Sequence, residues 1–264
     1  LAHSRSPEIQ NAALQKAGLH DWRYELLPTP PEDLPQAVAR IRQADCAGGN
    51  VTIPHKEAII PLLDALTPAA QAIGAVNTLF KRNGQLWGDN TDAEGFWLDL
   101  RQAFGDLPPR EALLLGAGGA ARAVAYALAR RGWGVTVAAR RVTQAETLCR
   151  GLSSTVRGAL HPLALDALPS AIGNRKSEIG NHQLPLLIVN CTPVGMHPDV
   201  DASPWPPGAP FPAGAHLYDL VYNPEETRLI QQARAAGLPA VNGLGMLRTQ
   251  AALAFRRWTV EGRP

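Results

Sequence analysis

The chain has 264 residues, of which 45% are hydrophobic and 18% are charged, and its formal net charge is +2. This is an ordinary globular composition, and a charge so near balance, with no Lys- or Arg-rich run, gives no sign of a nucleic-acid partner. No apolar run reaches the roughly 18 residues that a membrane span needs. We therefore expect a cytoplasmic protein without nucleic-acid or membrane partners.

The cysteines carry little functional signal. Cys46, Cys149 and Cys191 are widely spaced and follow no metal-ligand pattern. An odd number of separated cysteines is typical of free thiols in a reducing compartment. The sequence therefore predicts neither a disulfide nor a metal site.

Helix and strand patterns alternate along the first half of the chain, where apolar spacing and turn residues predict the elements. The predicted helices cover residues 7–18, 34–44, 56–66 and 93–104, and the predicted strands cover residues 22–27, 48–54, 75–80 and 85–88. Between the last two strands, Asn83-Gly84 is the strongest short signal for a β-hairpin. The alternation predicts an α/β fold with a mostly parallel sheet.

The second half of the chain continues this alternation. Residues 198–212 are rich in proline and are expected to be irregular, and the polar residues 173–183 are expected to form a surface loop. The predicted strands cover residues 112–115, 135–139, 154–159, 186–190, 216–221 and 239–241, and the predicted helices cover residues 120–131, 144–152, 225–236 and 245–258.

A glycine-rich turn lies between the first strand and the first helix of this second half. Gly116 permits a tight turn, and Gly118 lets backbone amides approach a pyrophosphate at the start of the helix. The third glycine of the usual spacing falls at Ala121, and the pattern tolerates alanine there. Because a strand precedes the turn and a helix and a further strand follow it, the segment predicts a dinucleotide-binding site.

The end of the next strand distinguishes the two nicotinamide cofactors. An NAD site usually carries Asp or Glu about 20 residues after the glycines, to bind the ribose 2′-hydroxyl. This chain has Ala139-Arg140-Arg141 there. A guanidinium pairs with a 2′-phosphate, which an acid would repel. The sequence therefore favours NADP(H).

Four segments of the first half are unusually polar where strands meet helices. They are Ser4–Pro7, Asn50–Lys56, Val76–Thr78 and Gly88–Asp92. Ligands of open α/β sheets bind beyond the carboxyl ends of the strands. Hydroxyls, amides, one cation and carboxylates form a set suited to a polyhydroxylated acid. Each residue also has a purely structural interpretation, such as a helix cap at Ser4, Ser6 or Asp92.

Together these segments resemble shikimate dehydrogenases, the NADP-dependent members of the shikimate/quinate dehydrogenase family. The motifs occur in family order over nearly the whole chain. They are A-H-S-x-S-P at 2–7, N-V-T-I-P-x-K at 50–56, G-A-V-N-T at 74–78, G-D-N-T-D at 88–92, G-A-G-G-A at 116–120, N-x-T-P-V-G-M at 190–196, D-L-V-Y-N-P at 219–224 and N-G-L-G-M-L-x-x-Q-A-A at 242–252.

The resemblance implies the reversible reduction of 3-dehydroshikimate to shikimate with NADPH, in the biosynthesis of chorismate and the aromatic amino acids. It implies a substrate-binding catalytic domain of residues 1–102 and 242–264, to which the closing helix returns, and a Rossmann-type NADP-binding domain of residues 103–241. It also implies that the protein binds a small-molecule substrate and that it is a monomer or a homodimer.

The resemblance also assigns residues to roles. It implies that Lys56 and Asp92 form the catalytic pair. The substrate carboxylate and ring hydroxyls would be bound by Ser4, Ser6, Thr52, Asn77, Tyr222 and Gln250. The cofactor would be bound by Gly116, Ala117, Gly118, Gly119, Ala120, Arg140, Arg141, Thr192, Val194, Leu220, Gly243 and Met246.

The lysine–aspartate pair also has a physical rationale. Reduction of a ketone requires a hydride and a proton for the developing alkoxide. A lysine is protonated at neutral pH, so Lys56 can polarise the carbonyl and deliver the proton. Asp92 would hold the ammonium and favour its charged form. In the oxidative direction one of the two accepts a proton, and the sequence leaves open which one.

The chain departs from the family in two places. The usual N-R-T-x-x-R after the second strand of the cofactor domain is altered, with Ala139 for the asparagine, Arg141 for the threonine and Gln144 for the second arginine. Family members also begin with a strand and G-x-P before A-H-S, so we expect the natural chain to start further upstream.

Three other functions remain open. A quinate/shikimate dehydrogenase using NAD(H) would share the fold and the catalytic pair, but Arg140 and the missing acid disfavour it. A non-catalytic Rossmann-type binding protein would have no need for both Lys56 and Asp92. Another two-domain dehydrogenase, such as one acting on a folate, is disfavoured because Ser4 and Ser6 suit a compact carboxylate better.

Overall fold

The structure is a computed structural model that describes residues 4–173 and 186–261. The predicted surface loop at 173–183 therefore lies outside the described residues, apart from Gly173. The chain forms two compact units, Leu1–Gly95 with Leu247–Pro264 and Phe96–Met246. The family resemblance placed these boundaries at 102/103 and 241/242. Among the described residues, no helix is long and apolar enough to cross a membrane.

The first unit combines short helices with a small sheet. Its strands, within the described residues, are β1 (Gly48–Asn50), β2 (Ala65–Leu66), β3 (Thr78–Arg82) and β4 (Gln85–Asp89). Its helices are α1 (Ser6–Lys16), α2 (Leu34–Ile41), α3 (His55–Ala58) and α4 (Pro68–Ile73). The first turn of α5 (Asp92–Phe104) and most of α10 (Leu244–Arg256), with a π-helical turn at Arg257–Glu261, complete it.

The sheet of the first unit is mixed, so the prediction of a mostly parallel sheet was wrong for this unit. The strand order is β1-β3-β4-β2, and the β1–β3 and β3–β4 pairs are antiparallel while β2–β4 is parallel. The predicted hairpin, which the structure confirms, accounts for the antiparallel β3–β4 pair. Asn83 and Gly84 have φ of 52° and 74°, and Arg82 pairs with Gln85 across this two-residue turn. Such a turn joins neighbouring strands in antiparallel orientation.

The strand predicted at residues 22–27 is absent from the structure. Tyr24 instead forms both backbone hydrogen bonds with one side chain, because its N–H donates to Asn11 Oδ1 at 2.8 Å and its C=O accepts from Asn11 Nδ2 at 3.0 Å. A strand needs a neighbouring strand, and the local sequence does not reveal that this segment has none.

The helix predicted at residues 56–66 was wrong beyond Ala58. Pro61 has no N–H to donate within an α-helix, and the chain forms a 3₁₀ turn at Ile60–Leu62. Ala65 and Leu66 then pair with β4 as the short strand β2. The following helix, α4, is capped by Thr67, whose hydroxyl accepts a hydrogen bond from Ala70 N at 3.2 Å.

The second unit has the Rossmann-type architecture. Its sheet has the order β10-β9-β8-β5-β6-β7, and every pair is parallel. The strands described are β5 (Glu111–Leu115), β6 (Gly134–Ala139), β7 (Leu160–Ala164), β8 (Leu187–Asn190), β9 (His216–Asp219) and β10 (Ala240–Val241). The helices described are α6 (Gly119–Ala129), α7 (Val142–Leu152), α8 (Leu168–Gly173) and α9 (Arg228–Ala235).

The strands β6 and β7 extend the sheet on one side of β5, whereas β8, β9 and β10 extend it on the other. The strand order therefore reverses between β5 and β8. Ligands of open α/β sheets bind at such a switch point. The strands β5 and β8 are buried along their whole length, as expected for a sheet covered on both faces. The strand predicted at 154–159 was wrong: this segment is a turn, and the ladder with β6 begins only at Leu160.

Candidate active site and dinucleotide-binding edge

A buried ion pair joins two of the polar segments of the first unit. Lys56 lies in α3, and Asp92 is the first residue of α5. Lys56 Nζ donates to Asp92 Oδ2 at 2.5 Å, and the two side chains are only 13% and 8% exposed. Water screens this pair far less than it screens a surface pair. The structure thus brings together the two residues that the sequence predicted as catalytic.

Asn77 connects this pair to its surroundings. Its Nδ2 donates to Asp92 Oδ1 at 2.8 Å and to Thr91 Oγ1 at 3.0 Å, and its Oδ1 accepts from Thr91 N at 2.8 Å. The Asp92 carboxylate is therefore held from both sides, by Lys56 on one oxygen and by Asn77 on the other. This fixes the carboxylate and, through it, the position of the ammonium group.

Gln250 reaches the same cluster from the far end of the chain. Its Oε1 accepts from Asn77 Nδ2 at 3.4 Å, while its Nε2 donates to Leu247 O at 3.0 Å. The approach depends on Gly95, because a Cβ there would lie 2.8 Å from Gln250 Cβ and 3.0 Å from Gln250 Cα and N. Helix α10 can approach α5 this closely only because residue 95 has no side chain.

Ser4 and Ser6 belong to a second hydrogen-bonded group of the first unit. Ser6 N donates to Ser4 Oγ at 3.3 Å, and the Ser6 hydroxyl is hydrogen-bonded to Tyr24. The Tyr24 hydroxyl donates to Asn50 Oδ1 at 3.1 Å, and Asn50 Nδ2 donates to Asn77 O at 3.2 Å. Burial raises the pKa of Tyr24 to about 12, although the hydrogen bond with Ser6 acts in the opposite direction.

Sequence reasoning missed three members of these hydrogen-bonded groups as site residues. Tyr24 falls in a predicted strand, and Asn50 and Thr91 are included only as parts of motifs. The polar residues Asn50 and Thr91 are visible in the sequence, but nothing local indicates that Tyr24 contacts either Ser6 or Asn50. These contacts join residues that are distant in the sequence, since Tyr24 and Asn50 are 26 residues apart.

Two of the predicted substrate-binding residues lie outside these hydrogen bonds. Thr52 is exposed in the segment between β1 and α3, where its C=O accepts from His55 N at 2.9 Å. Tyr222 follows β9 in the second unit and is half-buried. Their contacts with a substrate stay predictions.

The predicted glycine turn lies at the switch point of the second unit, between β5 and α6. Gly116 has φ of 104°, and a Cβ there would lie 2.9 Å from Thr192 Cγ2, so only glycine fits. A Cβ at Gly118 would meet nothing within 4 Å. No side chain of the described residues caps the start of α6. The first backbone N–H groups of α6 therefore have no side-chain cap among the described residues, which fits the phosphates of a dinucleotide.

The other residues predicted to bind the cofactor lie along the same edge of the sheet. Thr192 and Val194 follow β8, and Leu220 follows β9. Gly243 follows β10 and contacts Leu220 so closely that a Cβ would lie 2.2 Å from the Leu220 oxygen. Met246 is buried in the first turn of α10. Because all these strands are parallel, their carboxyl ends meet at one edge.

A buried aspartate ties this edge together. Asp219 is fully buried and accepts hydrogen bonds from Asn190 Nδ2 at 2.8 Å, Val221 N at 3.0 Å and Thr227 Oγ1 at 2.6 Å. Asn190 Oδ1 in turn accepts from Thr192 N at 2.9 Å and Thr192 Oγ1 at 2.7 Å. Burial raises the pKa of Asp219, and the donated hydrogen bonds act in the opposite direction. The network fixes the Thr192 loop opposite Gly116.

Comparison with known proteins identifies the family of this chain. The family model for the shikimate dehydrogenase substrate binding domain matches residues 1–79. Shikimate dehydrogenase (NADP(+)) of Salinibacter ruber is 44% identical over 267 residues, which cover 99% of this chain and 90% of that protein. The chain belongs to the shikimate dehydrogenase family.

Solved structures of the family have the same fold. The crystal structure of shikimate 5-dehydrogenase from Thermus thermophilus in complex with NADP(H) and shikimate has a TM-score of 0.81 and 41% identity, over 98% of this chain and 89% of that one. The Listeria monocytogenes shikimate 5-dehydrogenase, solved in complex with shikimate and NAD, has a TM-score of 0.86 and 30% identity, over 100% of this chain and 90% of that one.

This member of the shikimate dehydrogenase family has an altered segment after the second strand of its Rossmann-type sheet. Ala139 ends β6 and is buried, whereas Arg140 and Arg141 directly follow it and are exposed. Arg141 stands at the N-terminal boundary of α7 and makes no side-chain cap. Two guanidinium groups are thus available at the carboxyl end of β6, the position where an acid would mark an NAD site.

Proposed function

We propose that the protein catalyses the reversible reduction of 3-dehydroshikimate to shikimate with NADP(H), in the cytoplasm, as a step toward chorismate and the aromatic amino acids. Family membership supports the reaction. The single observation that supports particular catalytic residues is the buried Lys56–Asp92 pair. Lys56 Nζ lies 2.5 Å from Asp92 Oδ2, and Asn77 holds the other carboxylate oxygen.

The proposed chemistry at this pair is proton transfer. In the reductive direction the Lys56 ammonium donates a hydrogen bond to the substrate carbonyl oxygen and then gives it a proton as the alkoxide forms. Asp92 holds the ammonium by its charge and by its hydrogen bond. In the oxidative direction the pair accepts the proton from the hydroxyl. When bound, the nicotinamide supplies the hydride in reduction and accepts it in oxidation.

The proposed substrate contacts extend from this pair. Asn77 and Gln250 present amide groups beside Asp92, suited to ring hydroxyls, and Thr52 and Tyr222 would add further hydroxyls. Ser4 and Ser6 present hydroxyls to the substrate carboxylate. The uncapped start of α6 and the turn at Gly116–Ala120 would bind the cofactor pyrophosphate.

Steady-state oxidation of shikimate tests the proposal, with NADP⁺ and NAD⁺ compared and quinate as second substrate. We expect turnover of shikimate with kcat/KM at least roughly tenfold higher for NADP⁺, since the two arginines pair with a 2′-phosphate. The Arg140→Gln/Arg141→Gln variant should lose this preference because its KM for NADP⁺ rises, while its kinetics with NAD⁺ change little. Absence of turnover with either cofactor would refute the enzyme function.

The same assay decides between the proposal and the NAD-dependent alternative. The relative from Listeria monocytogenes was solved with NAD, so likeness to the family does not by itself select NADP. Equal use of both cofactors, together with comparable turnover of quinate, would assign the chain to the quinate/shikimate class.

A test of substrate positioning uses Gly95. The Gly95→Ala variant must displace Gln250, whose backbone lies 3.0 Å from the new Cβ. We expect kcat/KM for shikimate to fall by roughly tenfold, mainly through KM, while the dissociation constant of NADP⁺ stays unchanged. The matched control is Gly151→Ala in α7, where the new Cβ would have only the end of the Arg122 side chain within 3.4 Å. Equal kinetics for both variants would contradict the role of Gln250.

A further inference from the structure

A basic pocket lies at the edge of the second unit's sheet opposite the glycine turn. It is lined by Tyr126, Arg130, Arg131, Thr155 and Arg157, and its volume is about 480 Å³. These residues come from the end of α6 and from the turn between α7 and β7. Both places adjoin the amino ends of the parallel strands, whereas the dinucleotide edge is formed by their carboxyl ends. The pocket is therefore separate from the proposed cofactor site.

The walls of the pocket are fixed by backbone contacts. Arg157 N and Gly158 N both donate to Ala129 O, at 3.2 and 2.8 Å, which holds the turn against the end of α6. A Cβ at Gly158 would lie 1.8 Å from the oxygen of Trp133, so only glycine allows this approach. The turn that carries Thr155 and Arg157 is thus part of the folded unit.

One arginine of the pocket is held in place. The Arg131 guanidinium lies over the Trp97 ring, 4.4 Å from its centroid, and its Nη1 donates to Ala127 O at 2.9 Å. A guanidinium fixed in this way loses little further entropy when it binds a ligand, so it is prepared for recognition.

The charge of the pocket is strongly positive. No carboxylate lines it, and Arg130 and Arg157 form no ion pair within residues 4–173 and 186–261, unlike the exposed Arg40 or Arg234. The end of α6 contributes roughly half a negative charge from its carbonyl groups. That charge accounts for Arg131, which caps the helix end, and it leaves the Arg130 and Arg157 guanidinium groups without a carboxylate partner among the described residues.

We propose that this pocket binds a phosphoryl-bearing small anion. Guanidinium groups match phosphate oxygens with paired hydrogen bonds, and the Tyr126 hydroxyl adds a further donor. A volume of about 480 Å³ exceeds that of a single phosphate and falls in the range of small-ligand sites. The ligand class is thus a sugar phosphate, a nucleotide or pyrophosphate itself.

Calorimetric titration with pyrophosphate tests the proposal, using the full chain at low salt with saturating NADP⁺ to fill the dinucleotide site. We expect one binding event, weakened at least roughly tenfold in Arg130→Gln/Arg157→Gln. The matched control is Arg228→Gln/Arg256→Gln, which removes the same charge from exposed positions elsewhere and should bind as the wild type does.

Several outcomes would overturn the proposal. They are no pyrophosphate binding by the wild type, unchanged affinity in Arg130→Gln/Arg157→Gln, or an equal loss in the control variant, which would show only general charge attraction. Neither arginine belongs to the proposed catalytic site, so shikimate oxidation by Arg130→Gln/Arg157→Gln should match the wild type. Binding is measured without turnover, and a failure of the proposed enzymatic function would leave this test intact.

Discussion

The Lys56→Met variant is expected to lose about 10²–10⁴-fold in kcat for shikimate oxidation, the range that general acid–base catalysis contributes. Methionine keeps an unbranched side chain of similar length and removes the group that carries the proton. Because the lysine would act on the reacting oxygen, the KM for NADP⁺ should change little. Steady-state kinetics with both substrates varied will separate the two effects.

A second substitution at the same position distinguishes proton transfer from charge. The Lys56→Arg variant keeps a positive group beside Asp92, but a guanidinium does not release its proton at neutral pH. It should therefore remain as impaired in kcat as Lys56→Met. Recovery to within a few-fold of the wild type would mean that the ammonium acts only by its charge.

The controls for this experiment address folding. Removing one partner of a buried ion pair can destabilise a protein by about 3–5 kcal/mol, so thermal unfolding and NADP⁺ affinity must be measured for each variant. Lys16→Met, at the exposed end of α1, is the matched control and should keep full activity. A folded Lys56→Met protein with wild-type kcat would refute the proposed role of Lys56.

The Asp219→Ala variant is expected to lose about 3–5 kcal/mol of unfolding free energy. The substitution leaves three buried donors without their acceptor, and each unsatisfied buried donor costs roughly 1–3 kcal/mol, partly recovered by relaxation. It also releases Asn190, and with it the Thr192 loop, so NADP⁺ affinity should fall as well. Urea unfolding and cofactor titration measure the two effects.

Asp219→Asn provides an internal comparison. Its remaining oxygen can still accept from Asn190 Nδ2 and Val221 N, and the Thr227 hydroxyl can turn to accept from the new amide. It should therefore be clearly more stable than Asp219→Ala. The exposed Asp201→Ala serves as the control and should change stability by less than about 0.5 kcal/mol. If Asp219→Ala had the same unfolding free energy as this control, the network would have no structural role.

Features with a short-range physical cause could be predicted from the sequence alone. The turn at Asn83-Gly84 requires two residues with positive φ, and asparagine followed by glycine meets that requirement. The strand–glycine–helix unit around Gly116 is equally local, because the tight turn and the start of α6 come from adjacent residues. Thr67-Pro68 also carried a local signal for α4, as a capping residue followed by a proline in the first turn, and it was overlooked.

Other features were decided only by tertiary structure, since they depend on partners far away in the chain. Tyr24 lies in no strand because Asn11 takes its backbone hydrogen bonds, and the first sheet is mixed because of how β1, β2 and β4 pair. The closeness of Gly95 to Gln250 also has no sequence signature.

The residue types needed for the proposed chemistry were therefore determined by the sequence and its family motifs. Their arrangement was not. Asn77 and Gln250 are 173 residues apart, and Asp219 becomes the centre of a network only when β8, β9 and α9 come together. Local patterns report backbone preferences over a few residues, whereas the position of a side chain within a site depends on the folding of the whole unit.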